Sequence, residues 1–187
     1  MSTAEKLLTA EEFMRLPESI EGGKMELVCG KVVTMSPVGR PHSKAVRRLD
    51  HALTPFVESR RLGELHVELG FVLARRPDMV RAPDLSFIAA DRLESAGEWD
   101  AFFNGAPSLA IEVRSPDDRP AAVQQKVREY LAAGCPRVWD VDPGQQAVTV
   151  HRSDGAASTR REGDTLTSDD AGFGAEGFTL ALADLFS

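Results

Sequence analysis

The sequence has few cysteines and no long apolar run. Its two cysteines, Cys29 and Cys135, stand far from each other and from any paired histidine, which excludes a disulfide scaffold and a zinc knuckle. No uncharged apolar stretch approaches the ~18 residues that a membrane span needs, so we expect no membrane contact. Residues 1–6 lack the charged and then apolar segments of a secretion signal. We therefore expect a reduced, cytoplasmic protein.

Basic residues are outnumbered by acidic ones. The 187 residues carry a formal net charge of −7, with −8 in residues 81–187 and +1 in residues 1–80. A protein that coats DNA is usually basic, because phosphate neutralisation supplies most of the non-specific affinity. An acidic enzyme can still act on nucleic acid if its basic groups are local and a divalent cation adds positive charge. A hydrophobic share of 42% excludes a disordered chain.

Local patterns predict alternating strands and helices. Thr9 and Glu12 form a capping box for a short helix, which should bury Phe13 and Leu16, and Cys29-Gly30 has the composition of a hairpin turn. The strand–helix–strand run over 109–141 has the length of a parallel crossover. The predicted helices cover about 41–60 and 120–133, and Pro55 should kink the first or end it early. The predicted strands cover about 64–73, 82–88, 109–114, 137–141 and 146–151.

Two acids lie inside apolar strands, where an unpaired carboxylate is costly to bury. Asp84 follows Pro83 at the head of one strand, and Glu112 sits within Leu-Ala-Ile-Glu-Val. On adjacent strands, with Lys126 on the next helix, they could bind Mg²⁺ and position a water. The alternative is structural: Glu112 could simply pair with Arg114 or Lys126.

Six short motifs occur in order and resemble a known family. They are Glu26-Leu-Val-Cys-Gly-Lys31, Ser36-Pro37 with His42, Ala82-Pro83-Asp84-Leu85, Leu109-Ala-Ile-Glu-Val-Arg-Ser-Pro116, Lys126-x-x-x-Tyr130-x-x-x-Gly134 and Trp139-Asp-Val-Asp-Pro143. Together they resemble the Uma-two family, classed as restriction endonucleases within the PD-(D/E)xK nuclease superfamily. The resemblance runs from about Leu8 to Phe186.

The resemblance implies an α/β fold with a restriction-endonuclease-like core, in which helices flank a mixed central sheet. It implies one domain over 1–187, comprising an N-terminal helix and hairpin (about 9–35), a core (about 41–151) and a C-terminal tail (about 152–187). It also implies Mg²⁺- or Mn²⁺-dependent cleavage of nucleic acid, DNA above all, by a homodimer.

Carried over by position, three acids would bind the metal. Asp84 resembles the Asp of the PD motif, Glu112 the acid of the (D/E)xK strand, and Glu26 an auxiliary acid near the N-terminus. The signature places a lysine two residues after the strand acid, where this chain has Arg114. Lys126 therefore inherits the lysine role, because arginine stays protonated and is a poor proton shuttle. Arg114 could support the site or clamp a phosphate.

Three further features are weaker candidates for site residues, and each has both a functional and a structural interpretation. His42 falls with the apolar helix face, so it is either a site contact or a core histidine. Glu68 is either an extra ligand or part of a solvated face. The basic stripe of the same helix could follow a phosphate backbone or could be a solvated face; it comprises Lys44, Arg47, Arg48 and His51.

The sequence thus predicts a metal-dependent endonuclease in which Asp84, Glu112 and Lys126 are catalytic. The rival hypothesis is a non-catalytic binding or regulatory protein that retains the fold, favoured by the net charge of −7. A third hypothesis, a nuclease for small or single-stranded substrates, reconciles the acidity with the retained acids.

Overall fold

The computed structural model describes residues 6–17, 23–175 and 177–187. Residues 1–5, on which the expected lack of a secretion signal largely rests, lie outside the described residues, as do residues 18–22 of the predicted N-terminal unit. Among the described residues, no helix is both long and apolar enough to cross a membrane.

The chain forms six helices and thirteen strands in its described parts. The helices are α1 (Ala10–Met14), α2 (Arg40–Ser59), α3 (Ala90–Ala96), α4 (Pro120–Ala132), α5 (Ser168–Ala171) and α6 (Leu182–Phe186). The strands are β1 (Met25–Val28), β2 (Lys31–Thr34), β3 (Gly63–Val67), β4 (Phe71–Ala74), β5 (Met79–Arg81), β6 (Leu85–Ala89), β7 (Phe103–Asn104), β8 (Leu109–Val113), β9 (Arg137–Asp142), β10 (Ala147–Arg152), β11 (Ala157–Arg160), β12 (Thr165–Thr167) and β13 (Thr179–Ala181).

The larger sheet is mixed and has six strands in the order β11-β10-β9-β8-β6-β3. β8 and β9 are parallel and are joined through α4, as the crossover pattern predicts, whereas the other neighbours are antiparallel. Helices cover this sheet, so the predicted α/β fold with a mixed sheet and flanking helices is confirmed. The predicted single domain stays a prediction.

The two faces of β8 serve different helices because side chains alternate along a strand. Leu109 and Ile111 join the core formed with the apolar stripe of α2. Ala110 packs with Val127 and Tyr130 of α4 instead. Glu112 has the same parity as Ala110, so its carboxylate points towards α4.

A smaller sheet, in the order β2-β1-β5-β4-β7, carries the N-terminal hairpin. The hairpin turns at Cys29 and Gly30, which have φ values of 50° and 75°. Two successive positive φ values define the turn type that best joins twisted strands, so the predicted hairpin is confirmed. The capping box at Thr9 is also present, but α1 ends at Met14 and leaves Leu16 37% exposed.

The single strand predicted over 64–73 is wrong. The chain forms β3 and β4, which belong to different sheets, and the break contains Glu68 with φ of 52°. A residue with positive φ lies outside the β region and ends a strand. The apolar residues alternate on both sides of Glu68, so the sequence pattern does not reveal this break. The break lets one run of chain supply both sheets.

α2 continues past Pro55 to Ser59, so an early end is wrong. Proline removes one backbone donor, but Leu53 and Val57 on either side are fully buried against the larger sheet. This burial, worth about 1.5–3 kcal/mol per large apolar side chain, outweighs the missing hydrogen bond. The tail adds β11 to the larger sheet, and β12 pairs antiparallel with β13 in a separate two-stranded sheet.

Candidate active site

Asp84 lies at the head of β6, beside the end of β8. The register pairs Leu85 with Ile111, which puts Asp84 in line with Glu112 on the neighbouring strand. Its Oδ2 accepts a hydrogen bond from the backbone N–H of Val113 at 2.7 Å. The adjacent strands therefore bring the two acids predicted from sequence to one end of the sheet.

Two cationic or polar side chains also contact Asp84. His42 Nε2, in the first turn of α2, lies 3.2 Å from Oδ2, and Lys24 Nζ, just before β1, lies 3.3 Å from Oδ1. Burial alone would raise the pKa of Asp84, but the contact with His42, the charge of Lys24 and the Val113 N–H outweigh it and lower the pKa to about 2. Asp84 is therefore ionised over the whole physiological range.

Glu112 is held by two residues of α4. Tyr130 donates its hydroxyl to Oε1 at 2.8 Å, and Lys126 Nζ lies 3.0 Å from Oε2. Lys126 and Tyr130 are four residues apart, so they project from one face of the helix. Each carboxylate oxygen of Glu112 thus has one donor.

These donors do not fully compensate the Glu112 charge. Burial raises the pKa of Glu112, and the attraction of Lys126 is opposed by the negative charges of Asp84 and Glu26. Asp84 and Glu112 are therefore neighbouring carboxylates whose pKa values are shifted in opposite directions. Such pairs are common at functional sites.

Lys126 bridges two acids. Its Nζ lies 3.0 Å from Glu112 and 3.5 Å from Glu26 Oε1. Burial alone would lower the pKa of Lys126, but the two carboxylates outweigh it and raise the pKa above its usual value. The side chain is therefore a largely buried ammonium in this structure, suited to stabilising negative charge.

Arg81 ties Glu26 to α4. Its guanidinium pairs with Glu26 Oε2 and donates from Nε to Glu129 at 2.8 Å, and all three side chains are buried. The Ala82 N–H completes the Glu26 environment at 3.1 Å from Oε1. Burial raises the pKa of Glu26, but Lys126 and Arg81 outweigh it and lower the pKa.

The structure brings together Glu26, Asp84, Glu112, Lys126 and His42; their chemical roles stay predictions. His42 is buried at 6% exposure, as its helix position predicts, and its Nδ1 has no hydrogen-bond partner among the described residues. Glu68 is an exposed side chain 4.0 Å from Lys24.

Arg114 makes its ion pairs away from these acids. It donates to Asp140 at 2.6 and 2.7 Å and to Asp142 at 3.1 Å. Within the described parts of the chain, it has no contact with Glu112 or Asp84. Its predicted supporting role would therefore have to be exerted from this outer position.

Sequence reasoning missed Lys24, Arg81 and Glu129 as parts of the cluster. Their contacts cross 48 to 60 positions of the chain, so no local pattern indicates them. Arg81, a charged residue between two buried apolar strands, was the one available signal. Tyr130 belongs to one of the six motifs, but no contact with Glu112 was predicted for it.

The acids of the candidate site are too few to coordinate a metal ion without other ligands. Among the described residues, no group of three or more histidines, cysteines, aspartates or glutamates is placed to hold a metal ion. Two neighbouring carboxylates, Asp84 and Glu112, are nevertheless the number that Mg²⁺ usually takes from a protein, with waters and substrate phosphates as its other ligands.

Two comparisons with known proteins give matches, and both matches are described as nucleases or endonucleases. The chain is similar to a crystal structure of a putative nuclease belonging to DUF820 from Anabaena variabilis ATCC 29413, with 25% identity, a TM-score of 0.79 and coverage of 96% of this chain and 97% of that one. No curated protein matches. The Uma2 (Uma-two) family model, described as "Putative restriction endonuclease", matches residues 10–183. The chain therefore belongs to the Uma2 family of restriction-endonuclease-like proteins.

Proposed function

We propose that this protein is a divalent-cation-dependent endonuclease that hydrolyses phosphodiester bonds of nucleic acid, with DNA as the expected substrate. One observation carries the proposal: two buried carboxylates, Asp84 and Glu112, lie side by side on neighbouring strands, and Glu112 pairs with the largely buried ammonium of Lys126 at 3.0 Å. The family match to restriction endonucleases supports a nuclease.

The donor set fits Mg²⁺ or Mn²⁺. Both ions prefer oxygen ligands, and Asp84 and Glu112 would supply them. Burial, and after it the negative charges of Asp84 and Glu26, raise the pKa of Glu112; the positive charge of a divalent cation would favour its ionised form. When bound, such an ion polarises the phosphate and lowers the pKa of a bound water.

Lys126 acts as a cation in this proposal. Because its pKa is raised, it does not accept a proton from water in the free protein. Its ammonium instead stabilises the negative charge that develops on the phosphate and orients the attacking water through hydrogen bonds. Glu112 and Glu26 hold it in position.

Glu26 and His42 support these groups. Glu26 positions Lys126, and its Oε1 is the oxygen through which the predicted auxiliary metal ligation would occur, since Oε2 pairs with Arg81. His42 orients Asp84 through Nε2. The predicted homodimer and cytoplasmic location stay predictions, and sedimentation velocity tests the first.

Calorimetry with Mn²⁺ and a cleavage assay test the function together. We expect saturable Mn²⁺ binding, and cleavage of circular plasmid DNA that requires Mg²⁺ or Mn²⁺ and stops with EDTA. Binding of no divalent ion would refute the proposal. Saturable ion binding without cleavage of DNA, RNA or a small phosphodiester would favour the non-catalytic alternative.

A further inference from the structure

The outer face of α2 carries a cluster of cations. Residues 40–48 contain Arg40, Lys44, Arg47 and Arg48 and no acid, in a chain whose net charge is −7. On a helix, positions three and four apart are neighbours, so Arg40, Lys44 and Arg47 form one stripe. We call these three residues the α2 stripe.

The α2 stripe faces solvent. The core face of the helix consists of His42, Ala45 and Leu49 and their successors, and at ~100° per residue the α2 stripe lies on the opposite side. Arg40 and Arg47 are exposed, and Lys44 is half-buried. Arg48, at the border, donates to the backbone carbonyl of Leu185 instead.

In the described parts of the chain, no acid compensates these charges. Among the described residues, no carboxylate lies within ion-pairing distance of Arg40, Lys44 or Arg47. The pKa of Lys44 is lowered because the charges of Arg48, Arg40 and Arg47 repel its proton. Like charges at this spacing destabilise a helix, and an external polyanion would relieve the repulsion.

The α2 stripe begins next to the candidate active site. His42, two residues after Arg40, contacts Asp84 at 3.2 Å. From Arg40 to Arg47 the helix rises about 10 Å, which is about three nucleotide steps of one strand of a duplex at 3.4 Å each. The α2 stripe therefore starts in the same helix turn as the contact with Asp84, on the opposite side of that turn.

We propose that the α2 stripe binds the phosphate backbone of the substrate nucleic acid on one side of the bond that is cleaved. This inference rests on the proposed function for the position of the cleaved bond. It reconciles the acidity of the protein with a polyanionic substrate, because the cations are concentrated on the exposed face of the helix whose first turn contacts Asp84.

An anionic membrane is the competing partner for a cationic helix. Helices that lie on membranes expose large apolar side chains beside their cations. The exposed large apolar residues of the described chain are Leu7, Met14, Leu16, Val32, Val33, Val38 and Val67. None of them lies in α2, so nucleic acid is the better match.

The test measures how oligonucleotide affinity depends on salt. A fluorescein-labelled oligonucleotide, single-stranded or as a duplex, is titrated with protein in CaCl2 at about 50 to 200 mM NaCl. The double variant Lys44→Gln, Arg47→Gln is compared with Arg15→Gln, Arg161→Gln, which removes two exposed cations elsewhere.

Each lost phosphate contact reduces the slope of log affinity against log salt by about 0.7 for a single strand or 0.9 for a duplex. We expect the α2 double variant to lose about 1.4 to 1.8 in slope and roughly ten- to a hundredfold in affinity. The Arg15, Arg161 variant should retain the wild-type slope. Equal slopes in the two double variants, or no oligonucleotide binding by the wild type, would overturn the proposal.

A small substrate separates this proposal from the proposed function. Bis(4-nitrophenyl) phosphate has no further phosphates that could extend from the acids to the α2 stripe, so its Mn²⁺-dependent hydrolysis should be unchanged in the α2 double variant. Oligonucleotide binding through α2 without any hydrolysis would refute the nuclease function alone. Binding of phosphatidylserine vesicles in place of oligonucleotides, with the same loss in the double variant, would refute the nucleic-acid assignment.

Discussion

Asp84 accepts a hydrogen bond from the backbone N–H of Val113 at 2.7 Å, so the side chain of one site residue is tied to the main chain directly after another, Glu112. The distance between the two acids is therefore set by the pairing of β6 with β8. Sheet pairing is a more rigid support than a loop, which suits the cation site that we propose between the two strands.

Neutral substitutions of the two acids should abolish cleavage and preserve the fold. In Asp84→Asn and Glu112→Gln, we expect Mn²⁺-dependent cleavage to fall at least about a thousandfold, because metal-ion catalysis supplies several kcal/mol and each 1.36 kcal/mol is tenfold in rate. Initial rates on plasmid DNA measure the loss. Glu94→Gln, at an exposed acid of α3, is the control, and retained cleavage in either site variant would contradict the assignment.

A divalent cation should stabilise the native protein. At about 100 times its dissociation constant, a ligand that binds only the folded state adds ~2.7 kcal/mol, which for a chain of this size raises the melting temperature by roughly 5 to 10 °C. Differential scanning fluorimetry with and without MnCl2 measures the shift. The shift should be absent in Asp84→Asn; an equal shift in that variant would place the ion elsewhere.

Lys126 and Arg114 should respond in opposite ways to loss of charge. Lys126→Met should reduce cleavage roughly a hundredfold or more, because an ammonium beside the reacting phosphate is lost, while Mn²⁺ binding persists. Arg114→Met should instead cost about 3 kcal/mol of unfolding free energy, because it leaves buried Asp140 without its partner.

Urea denaturation and single-turnover cleavage, applied to both variants, distinguish these effects. Folded Arg114→Met protein should cleave within a few-fold of the wild type. A larger loss of cleavage in Arg114→Met than in Lys126→Met would reverse the assignment of the lysine role.

The two acids should give opposite pH dependences of stability. The pKa of Asp84 is lowered from 3.8 to about 2, so its ionised form adds roughly 2 kcal/mol above pH 4. This contribution is lost as the pH falls from about 4 towards 2. The pKa of Glu112 is raised above 4.5, so its contribution is present below pH 4.5 and is lost as the pH rises through the higher folded value.

Urea unfolding at a series of pH values tests both signs. Between pH 5 and pH 3, Asp84→Asn should lose less stability than the wild type, and Glu112→Gln should lose more. Identical pH profiles for the two variants would show that these carboxyls do not have opposite pKa shifts.

Local chemistry predicted most of the elements. The capping box at Thr9, the Cys29-Gly30 turn and the parallel crossover through α4 each depend on residues close in sequence, and each is present. The strand over 64–73 failed because a single positive φ at Glu68 has no reliable sequence signal. The helix predicted over 41–60 agrees with α2, and only the early end expected at Pro55 was wrong, because packing against the larger sheet outweighs the effect of the proline.

The candidate site was predictable as far as family motifs reach. Motif positions gave Asp84, Glu112 and Lys126, and the structure brings them together. Lys24, Arg81 and Glu129 were not predictable. They pair with opposite charges that come close to them only after both sheets have formed. Arg114, near Glu112 in sequence, pairs with Asp140 because β9 lies directly beside β8.

The guanidinium of Arg81 makes the two sheets interdependent. It joins Glu26 in the hairpin of the smaller sheet to Glu129 on the helix that covers the larger one. Deletion of the N-terminal residues up to the end of the hairpin would remove Glu26. Arg81 would then pair with Glu129 alone, and Lys126 with Glu112 alone. The N-terminal hairpin is therefore part of the candidate site. Shortening the protein from this end would disrupt the acid cluster before it unfolds the larger sheet.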